Sequence, residues 1–256
     1  MADPIFENPR LAAIYDPFDP DRADLDAYEA MVAEFGATSV LDVGCGTGTL
    51  ACRLAAKGVT VIGLEPAAAS LQVARAKAWA DKVRWVCGTV MVLPPLTVDL
   101  VTMTANVAQV YLTDEEWRQT LLKVREEVLN PEGRLVFETR NPAVHAWRDW
   151  NRQHTYAQIE LANGERVQGW AEVTDVQGPL VSFRWTYVFQ SDGAVLTSDS
   201  TLRFRTLGEV TESLHEAGLR VDDVRDAPDR PDREFVFIAT PNADPWKPHK
   251  SRDPRP

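Results

Sequence analysis

The sequence predicts an α/β protein: a mostly parallel sheet with helices on both faces and an antiparallel β meander inserted late in the chain. Three observations carry that expectation. Between Ser39 and Glu138, short apolar runs alternate with stretches of helical periodicity, the pattern of βαβ units and a parallel sheet. Residues 155–205 lose the helical period and hold strand-like runs split by turn pairs. A glycine-rich loop, Gly44 to Gly48, joins the first strand to its helix.

The bulk composition agrees. A chain of 256 residues, 45% apolar and 25% charged, fits one domain with an insertion. Its net charge of −11 comes with no Lys/Arg block, so nucleic acid is a poor partner, because phosphate binding needs a basic stripe. The opening Met1-Ala2-Asp3-Pro4 has no basic region followed by an apolar run, so no signal peptide is expected. No apolar stretch approaches the roughly 18 residues needed to cross a bilayer. Cys45, Cys52 and Cys87 include no C-x-x-C pair, which gives neither a disulfide framework nor a zinc site. A reduced cytoplasmic setting, no membrane and no metal are the expectations.

Residues 1–24 are rich in Pro and Asp, and Pro at this density is expected to break regular helix. From Asp24 to Phe35, Leu25, Tyr28, Met31, Val32 and Phe35 recur at helical spacing, with Gly36 as the stop. Residues 1–36 are therefore read as an N-terminal helical cap. The core, 37–150, begins with a strand from Ser39 to Val43, a helix from Gly48 to Lys57 closed by Gly58, and a strand from Thr60 to Leu64. A helix from Ala67 to Trp79 and strands at Val83–Cys87 and Leu100–Thr104 follow. Thr113 and Glu116 form a capping box for a helix running to about Leu129. Asn130 to Gly133 reads as a turn and Arg134–Glu138 as the fifth strand.

The insertion, 151–205, carries turn signals at Asn163-Gly164, Gly178-Pro179 and Asp192-Gly193, and Phe183, Trp185, Tyr187 and Phe189 alternate at period two. It is a lid over the site or a dimerisation sheet. Residues 206–240 complete the core with a helix from Leu207 to Ala217 and strands at Leu219–Val224 and Glu234–Ala239. The tail, 241–256, holds many prolines and charges and is expected to be disordered.

The chemistry lies in Leu41-Asp42-Val43-Gly44-Cys45-Gly46-Thr47-Gly48. Its glycines permit a tight turn and let a ligand lie against bare backbone, and the following helix offers free N–H groups. Dinucleotide loops read G-x-G-x-x-G, but Thr49 stands where the third glycine belongs. Glu65 closes the second strand about 20 residues on, where an acid binds ribose hydroxyls. That acid alone suits NAD and S-adenosylmethionine equally.

Over roughly residues 38–140, and more weakly to the end, the chain resembles the class I S-adenosylmethionine-dependent methyltransferases of the small-molecule type. Asp42 to Gly48 matches the first motif of that family, and Glu65 matches its ribose-binding acid. Gly88-Thr89 occupies the place of the family's Gly-Asp beside adenine, with Thr for Asp as the departure. The resemblance implies a Rossmann-like seven-stranded sheet whose last strand, Glu234–Ala239, is antiparallel beside the fifth. It also implies a cofactor site made of Asp42, Gly44, Cys45, Gly46, Gly48, Glu65, Pro66, Gly88, Thr89, Val90 and Asn106, holding S-adenosylmethionine and then S-adenosylhomocysteine. In similar enzymes an N-terminal tyrosine covers the cofactor, which makes Tyr15 a cofactor residue or a hydrophobic anchor. Cys45 reads as a packing residue rather than a nucleophile.

Ligands of open α/β sheets sit outside the carboxyl ends of the strands. The acceptor candidates are therefore Gln109, Tyr111, Arg140 and Trp147. Trp147, Trp150 and His154 share one face if the segment is helical. If the acceptor must lose a proton, His145 and His154 are the candidate bases, since histidine titrates near neutrality; each also reads as a surface or packing histidine. The expected function is methyl transfer to an N or O atom of a small molecule. The rivals are a protein that binds the cofactor without methyl transfer and an NAD-dependent oxidoreductase, which Thr49 disfavours.

Overall fold

In the computed structural model, residues 2–242 are described. The main sheet has seven strands: β1 (Ser39–Val43), β2 (Thr60–Glu65), β3 (Val83–Cys87), β4 (Val98–Met103), β5 (Leu129–Arg140), β10 (Leu219–Asp226) and β11 (Glu234–Pro241). Their order is β10-β11-β5-β4-β1-β2-β3. The order of strand addition reverses at β1, with β2 on one side and β4 on the other, so the C-terminal ends of β1 and β4 flank a crevice. β1 to β5 are parallel, and β11 runs antiparallel to β5, with Glu234 opposite Arg140.

Period-two side-chain alternation divides the core between two faces. Leu41, Val101, Leu135 and Phe137 point one way, onto Trp117, Leu121 and Val124 of α6 (Asp114–Glu127) and Leu214 of α8 (Leu207–Glu216). Val40, Leu100 and Val136 point the other way, onto Leu25, Tyr28 and Val32 of α3 (Asp24–Glu34) and Leu50 and Leu54 of α4 (Thr49–Ala56). The expected capping box is formed, with Thr113 and Glu116 each bonding the other's backbone N–H.

The insertion is a second, four-stranded antiparallel sheet: β6 (Ala157–Glu160), β7 (Arg166–Gln177), β8 (Leu180–Phe189) and β9 (Val195–Arg203). It packs on the N-terminal residues through Ile5, Leu11, Ile14, Val167, Tyr187 and Phe189, all buried. The Ile5 N–H donates to Ser198 Oγ at 2.9 Å.

Four local expectations are corrected. The first 24 residues are largely helical, as α1 (Pro4–Glu7) and α2 (Pro9–Phe18). Pro4 and Pro9 each occupy a first helical position, where no N–H is needed, and Pro17 lies in the last turn. The helix expected to reach Trp79 is shorter: α5 is Ala68–Arg75, and Trp79 sits at φ +68° with its side chain in solvent. The turn at 130–133 is absorbed as a bulge in β5, since Leu129 pairs with Val98 and Arg134 with Leu100. Residues 142–155 are not one helix. They form 3-10 turns at Pro142–Val144 and Ala146–Asp149 and a short helix α7 (Arg152–Thr155), broken by His145 at φ +53° and restarted by the Asn151 cap. The shared face expected for Trp147, Trp150 and His154 does not exist.

The disorder expected of 241–256 concerns residues that, from 243 on, lie outside the described residues. Among the described residues, no helix is long and apolar enough to cross a membrane.

Candidate active site

The glycine loop leaves β1 by a left-handed turn. The Gly44 and Cys45 N–H groups donate to the Leu64 carbonyl at 2.8 and 3.1 Å, tying the loop to β2. Gly44 sits at φ +68°, and a Cβ there would fall 2.5 Å from Val107 Cγ2, so only glycine fits. Gly46, at φ +53°, is the opposite case: a Cβ there meets nothing within 4 Å. Bare backbone borders open space at this point, and its N–H donates to Glu65 Oε2 at 3.0 Å.

Glu65 is buried at the end of β2, and its other oxygen accepts from the Ala67 N–H at 2.9 Å. Burial raises its pKa against these two backbone donors. A carboxylate held from behind by backbone keeps lone pairs for a ligand's hydroxyls. Pro66 and Thr89 are exposed, Val90 is buried, and the Gly88 N–H donates to the Glu65 carbonyl at 3.0 Å. Burial pushes the Cys45 thiol well up, so it is held as the thiol.

Asp42 lies buried behind the loop. Thr102 Oγ1 donates to its Oδ1 at 2.8 Å, while its Oδ2 has no partner. Burial pushes this carboxyl up to about 7. Asn106, at φ +62° after β4, is also buried, and its Oδ1 has no partner either. Two orphaned acceptors at the ends of adjacent strands call for a donor, because an unpaired buried polar atom costs about 1–3 kcal/mol. An ammonium group supplies such donors.

The Asn106 position is fixed by acids from distant parts of the chain. Its N–H donates to Glu138 Oε1 at 3.1 Å and its Nδ2 to Glu234 Oε1 at 3.2 Å. The Tyr28 hydroxyl donates to Glu138 Oε2. Burial, reinforced by the Glu234 charge, pushes Glu138 up to about 7. Arg140 Nη1 donates to Gln109 Oε1 at 3.1 Å, and Gln109 Nε2 donates to the Arg203 carbonyl at 3.2 Å, joining the core to β9.

The N-terminal helices close over the glycine loop. Thr47 Oγ1 donates to Asp16 Oδ1 at 2.6 Å, and Lys77 bridges Asp16 at 2.7 Å to Thr49 at 2.6 Å. The half-buried Tyr15 is adjacent, its ring 5.6 Å from Phe6 and its phenol pKa raised by burial.

The remaining candidates are distributed unevenly. The Trp147 ring meets Phe204 edge-on at 4.6 Å, and Trp150 meets Phe183 at 4.7 Å, both on the meander side. Tyr111 packs instead on Trp117 of α6 at 5.5 Å. His145 Nδ1 faces the Ala143 carbonyl at 3.0 Å, so Nδ1 carries the proton and the Nε2 lone pair is free. His154 is exposed, and its Nδ1 accepts from Asn151 Nδ2 at 3.1 Å, so its lone pair is used. Among the described residues, no group of three or more His, Cys, Asp or Glu side chains is placed to hold a metal.

Sequence reasoning passed over Asp16, Lys77, Tyr28 and Glu234. The available signal was an acid or phenol inside an apolar pattern: Tyr28 on the buried stripe of α3, and Glu234 opening the run Glu-Phe-Val-Phe-Ile. Such groups are buried only with partners.

Comparison with known proteins adds a likeness over part of the chain. Residues 40–133 match a family model described as a methyltransferase domain. The chain has a fold similar to that of solved S-adenosylmethionine-dependent methyltransferases. It is 38% identical over 106 residues to an uncharacterized methyltransferase of Oceanobacillus iheyensis, covering 41% of this chain and 48% of the relative. The chain spans about half the length of the curated relatives it matches. Its fold is similar to the sugar N-methyltransferase KedS8 of Streptoalloteichus sp., with a TM-score of 0.74, 19% identity, and coverage of 90% and 93% of the two chains. It is also similar to CalS10, an amino pentose methyltransferase of Micromonospora echinaspora solved with S-adenosylmethionine bound, with a TM-score of 0.64, 22% identity, and coverage of 84% and 89%.

Proposed function

We propose that this methyltransferase binds S-adenosylmethionine between the glycine loop, β2 and β4 and transfers its methyl group to an N or O atom of a small molecule. The observation that carries the reading is the set of groups at the carboxyl ends of neighbouring strands: open space at Gly46, a buried acid at Glu65, and two orphaned acceptors at Asp42 and Asn106. Glu65 would hold the ribose hydroxyls, with Pro66, Gly88, Thr89 and Val90 around the adenine, and Tyr15 closing over the site. Asp42 Oδ2 and Asn106 Oδ1 would take the ammonium of the methionine end.

When bound, the cofactor supplies a methyl group activated by a sulfonium. The chain's own residues orient the acceptor and exclude water. Gln109, Arg140 and Trp147 are the proposed acceptor contacts, with Tyr111 supporting them from the α6 side. For an acceptor that must lose a proton, His145 is the proposed base ahead of His154, because its Nε2 lone pair is free. Both nitrogen and oxygen acceptors occur among similar proteins: a sugar N-methyltransferase, and a ubiquinone biosynthesis O-methyltransferase of Idiomarina loihiensis that is 30% identical over 136 residues.

The meander is read as a lid rather than a dimer sheet. Support comes from its contacts with the acceptor segment, Trp150 to Phe183 and Gln109 to the Arg203 carbonyl. The free cysteines fit the reducing conditions of a cytoplasmic setting.

Calorimetric titration with S-adenosylhomocysteine tests the cofactor, and labelled S-adenosylmethionine with an acceptor panel tests transfer. Micromolar binding with label transfer is expected; absence of binding would overturn the reading. Binding without transfer to any acceptor would favour a cofactor-binding protein of another kind. With an active hydroxyl acceptor, His145→Gln should slow turnover by about 10²-fold or more, while His154→Gln leaves it close to the parent rate. The reverse order would exchange their roles.

A further inference from the structure

Beside the Asn106 network lies a cavity of about 240 Å³ lined by Arg140, Arg230, Arg233, Asp149, Glu234 and Trp150. Three guanidinium groups face two carboxylates there, in a chain whose net charge is −11. The three cations are not equally engaged. Arg230 is spent, with Nη1 on Glu234 at 2.8 Å and Nε 3.4 Å from Asp229. Arg140 uses Nη1 on Gln109, and its Nε stands 3.7 Å from Glu234. Among the described residues its Nη2 has no partner. Arg233 has only a loose partner, Asp149 at 3.9 Å. A partly buried cation with unspent donors next to a second loosely held cation is the arrangement that receives an oxyanion.

The place of this cavity in the site is set by Glu234. The same Oε1 that faces Arg230 and Arg140 also accepts from Asn106 Nδ2. An anion bound there would lie one side chain away from Asn106. On its other side, Trp150 also lines a second cavity of about 370 Å³ with Trp147, Asn151, Glu172 and Val173. The indole separates a cationic compartment from a larger, mixed one, and the Arg140 guanidinium lies 5.4 Å from its ring centroid.

We propose that the acceptor carries an oxyanion group, a carboxylate or a phosphate, and that Arg140 and Arg233 bind it while the rest of the acceptor extends past Trp150 into the larger cavity. This rests on the reading of the β5–β11 end as the acceptor site. Arg140 and Arg233 then determine specificity: a neutral analogue of the same shape leaves the partly buried Arg140 guanidinium without its counter-charge.

The test uses the full chain and three probes with one ring in common: benzoate, phenyl phosphate and neutral benzamide. Each is titrated calorimetrically with and without saturating S-adenosylhomocysteine, whose own affinity is measured in parallel. Saturable binding of benzoate or phenyl phosphate is expected, with benzamide at least roughly tenfold weaker. Tighter benzoate identifies a carboxylate acceptor, and tighter phenyl phosphate a phosphate-bearing one. Arg233→Ala, a change at a half-exposed side chain that spares the core, should cost roughly tenfold in anion affinity, and Arg233→Lys should recover part of it. Arg140→Gln should cost more.

The proposal is overturned if neither anion binds, if benzamide binds as well as the anions, or if both the Arg233→Ala and Arg140→Gln proteins keep full anion affinity. A protein that fails to bind S-adenosylhomocysteine refutes the cofactor reading instead, and the anion titrations without cofactor still decide this one.

Discussion

The cofactor side and the acceptor side of this site are built by opposite means. On the cofactor side, backbone does most of the positioning: residues 42–48 turn in one short loop, and Glu65 is held by the N–H groups of Gly46 and Ala67. On the acceptor side, side chains position side chains. Tyr28, Asn106, Glu138, Arg140, Arg230 and Glu234 come from α3, the segment after β4, the end of β5, the β10–β11 loop and the start of β11, and they meet only in the folded chain. A backbone-built site should fail abruptly when its geometry is blocked. A side-chain network should respond gradually and with pH.

The two glycines give the largest expected effects and separate folding from binding within the loop. Gly44→Ala combines a left-handed residue with a clash against Val107, and should destabilise by about 2–5 kcal/mol. Gly46→Ala meets open space, so its stability cost should be only the left-handed backbone, about 1–2 kcal/mol. Its methyl group would instead enter the cofactor surface and abolish S-adenosylhomocysteine binding. Urea unfolding with calorimetry on both variants checks this. Equal binding by the Gly46→Ala and parent proteins would move the cofactor away from the loop.

Glu65→Ala comes next. Losing charge-assisted hydrogen bonds to two hydroxyls should weaken S-adenosylhomocysteine by about 1.5–3 kcal/mol. Calorimetry showing unchanged affinity would remove Glu65 from the ribose site.

The same contrast explains what could be read in the chain. The antiparallel placement of β11 came with the family resemblance, while the strands β1 and β3 and the capping box at Thr113 were legible because period and caps act over a few positions. The glycine loop and Glu65 were legible for the same reason. The prolines of residues 4–17 misled because proline is tolerated at the first position of a helix, and composition does not reveal which position each one takes. Segment 142–155 misled because spacing shows a common face only if the backbone is continuous, and His145 interrupts it. Single members of the Tyr28–Glu138–Asn106–Glu234 network stood out as polar residues, but their pairing was not legible: they lie up to 206 positions apart, from Tyr28 to Glu234, and tertiary packing alone brings them together.

That network should show itself through pH. Glu138 is raised from its ordinary 4.5 to about 7, so between those values the folded protein holds a proton that the unfolded chain has released. Its contribution to stability is therefore full below about pH 4.5 and is lost as pH rises through about 7. Glu138→Gln, which keeps the shape and the neutral form, should flatten this dependence and recover on the order of 1–3 kcal/mol at pH 8. Unfolding midpoints across pH 5 to 8 decide the matter. An unchanged slope would mean that Glu138 is ionised in the fold, with its charge balanced by Arg140 and Arg230.

The smallest effect is expected where the two styles of construction meet. Asp16 is a side chain on α2, yet it grips the backbone-built loop through Thr47 and is itself held by Lys77. Both ionised side chains of the pair are about a quarter exposed, so the pair contributes only about 0.2–1 kcal/mol. Its consequence should be kinetic. A ligand enclosed between the loop and the N-terminal helices leaves only when they separate, and the Asp16 contacts hold them together. Asp16→Ala should leave the unfolding midpoint nearly unchanged while S-adenosylhomocysteine dissociates severalfold faster in stopped-flow displacement. If dissociation keeps its parent rate, α2 does not gate the cofactor, and the loop alone controls its release.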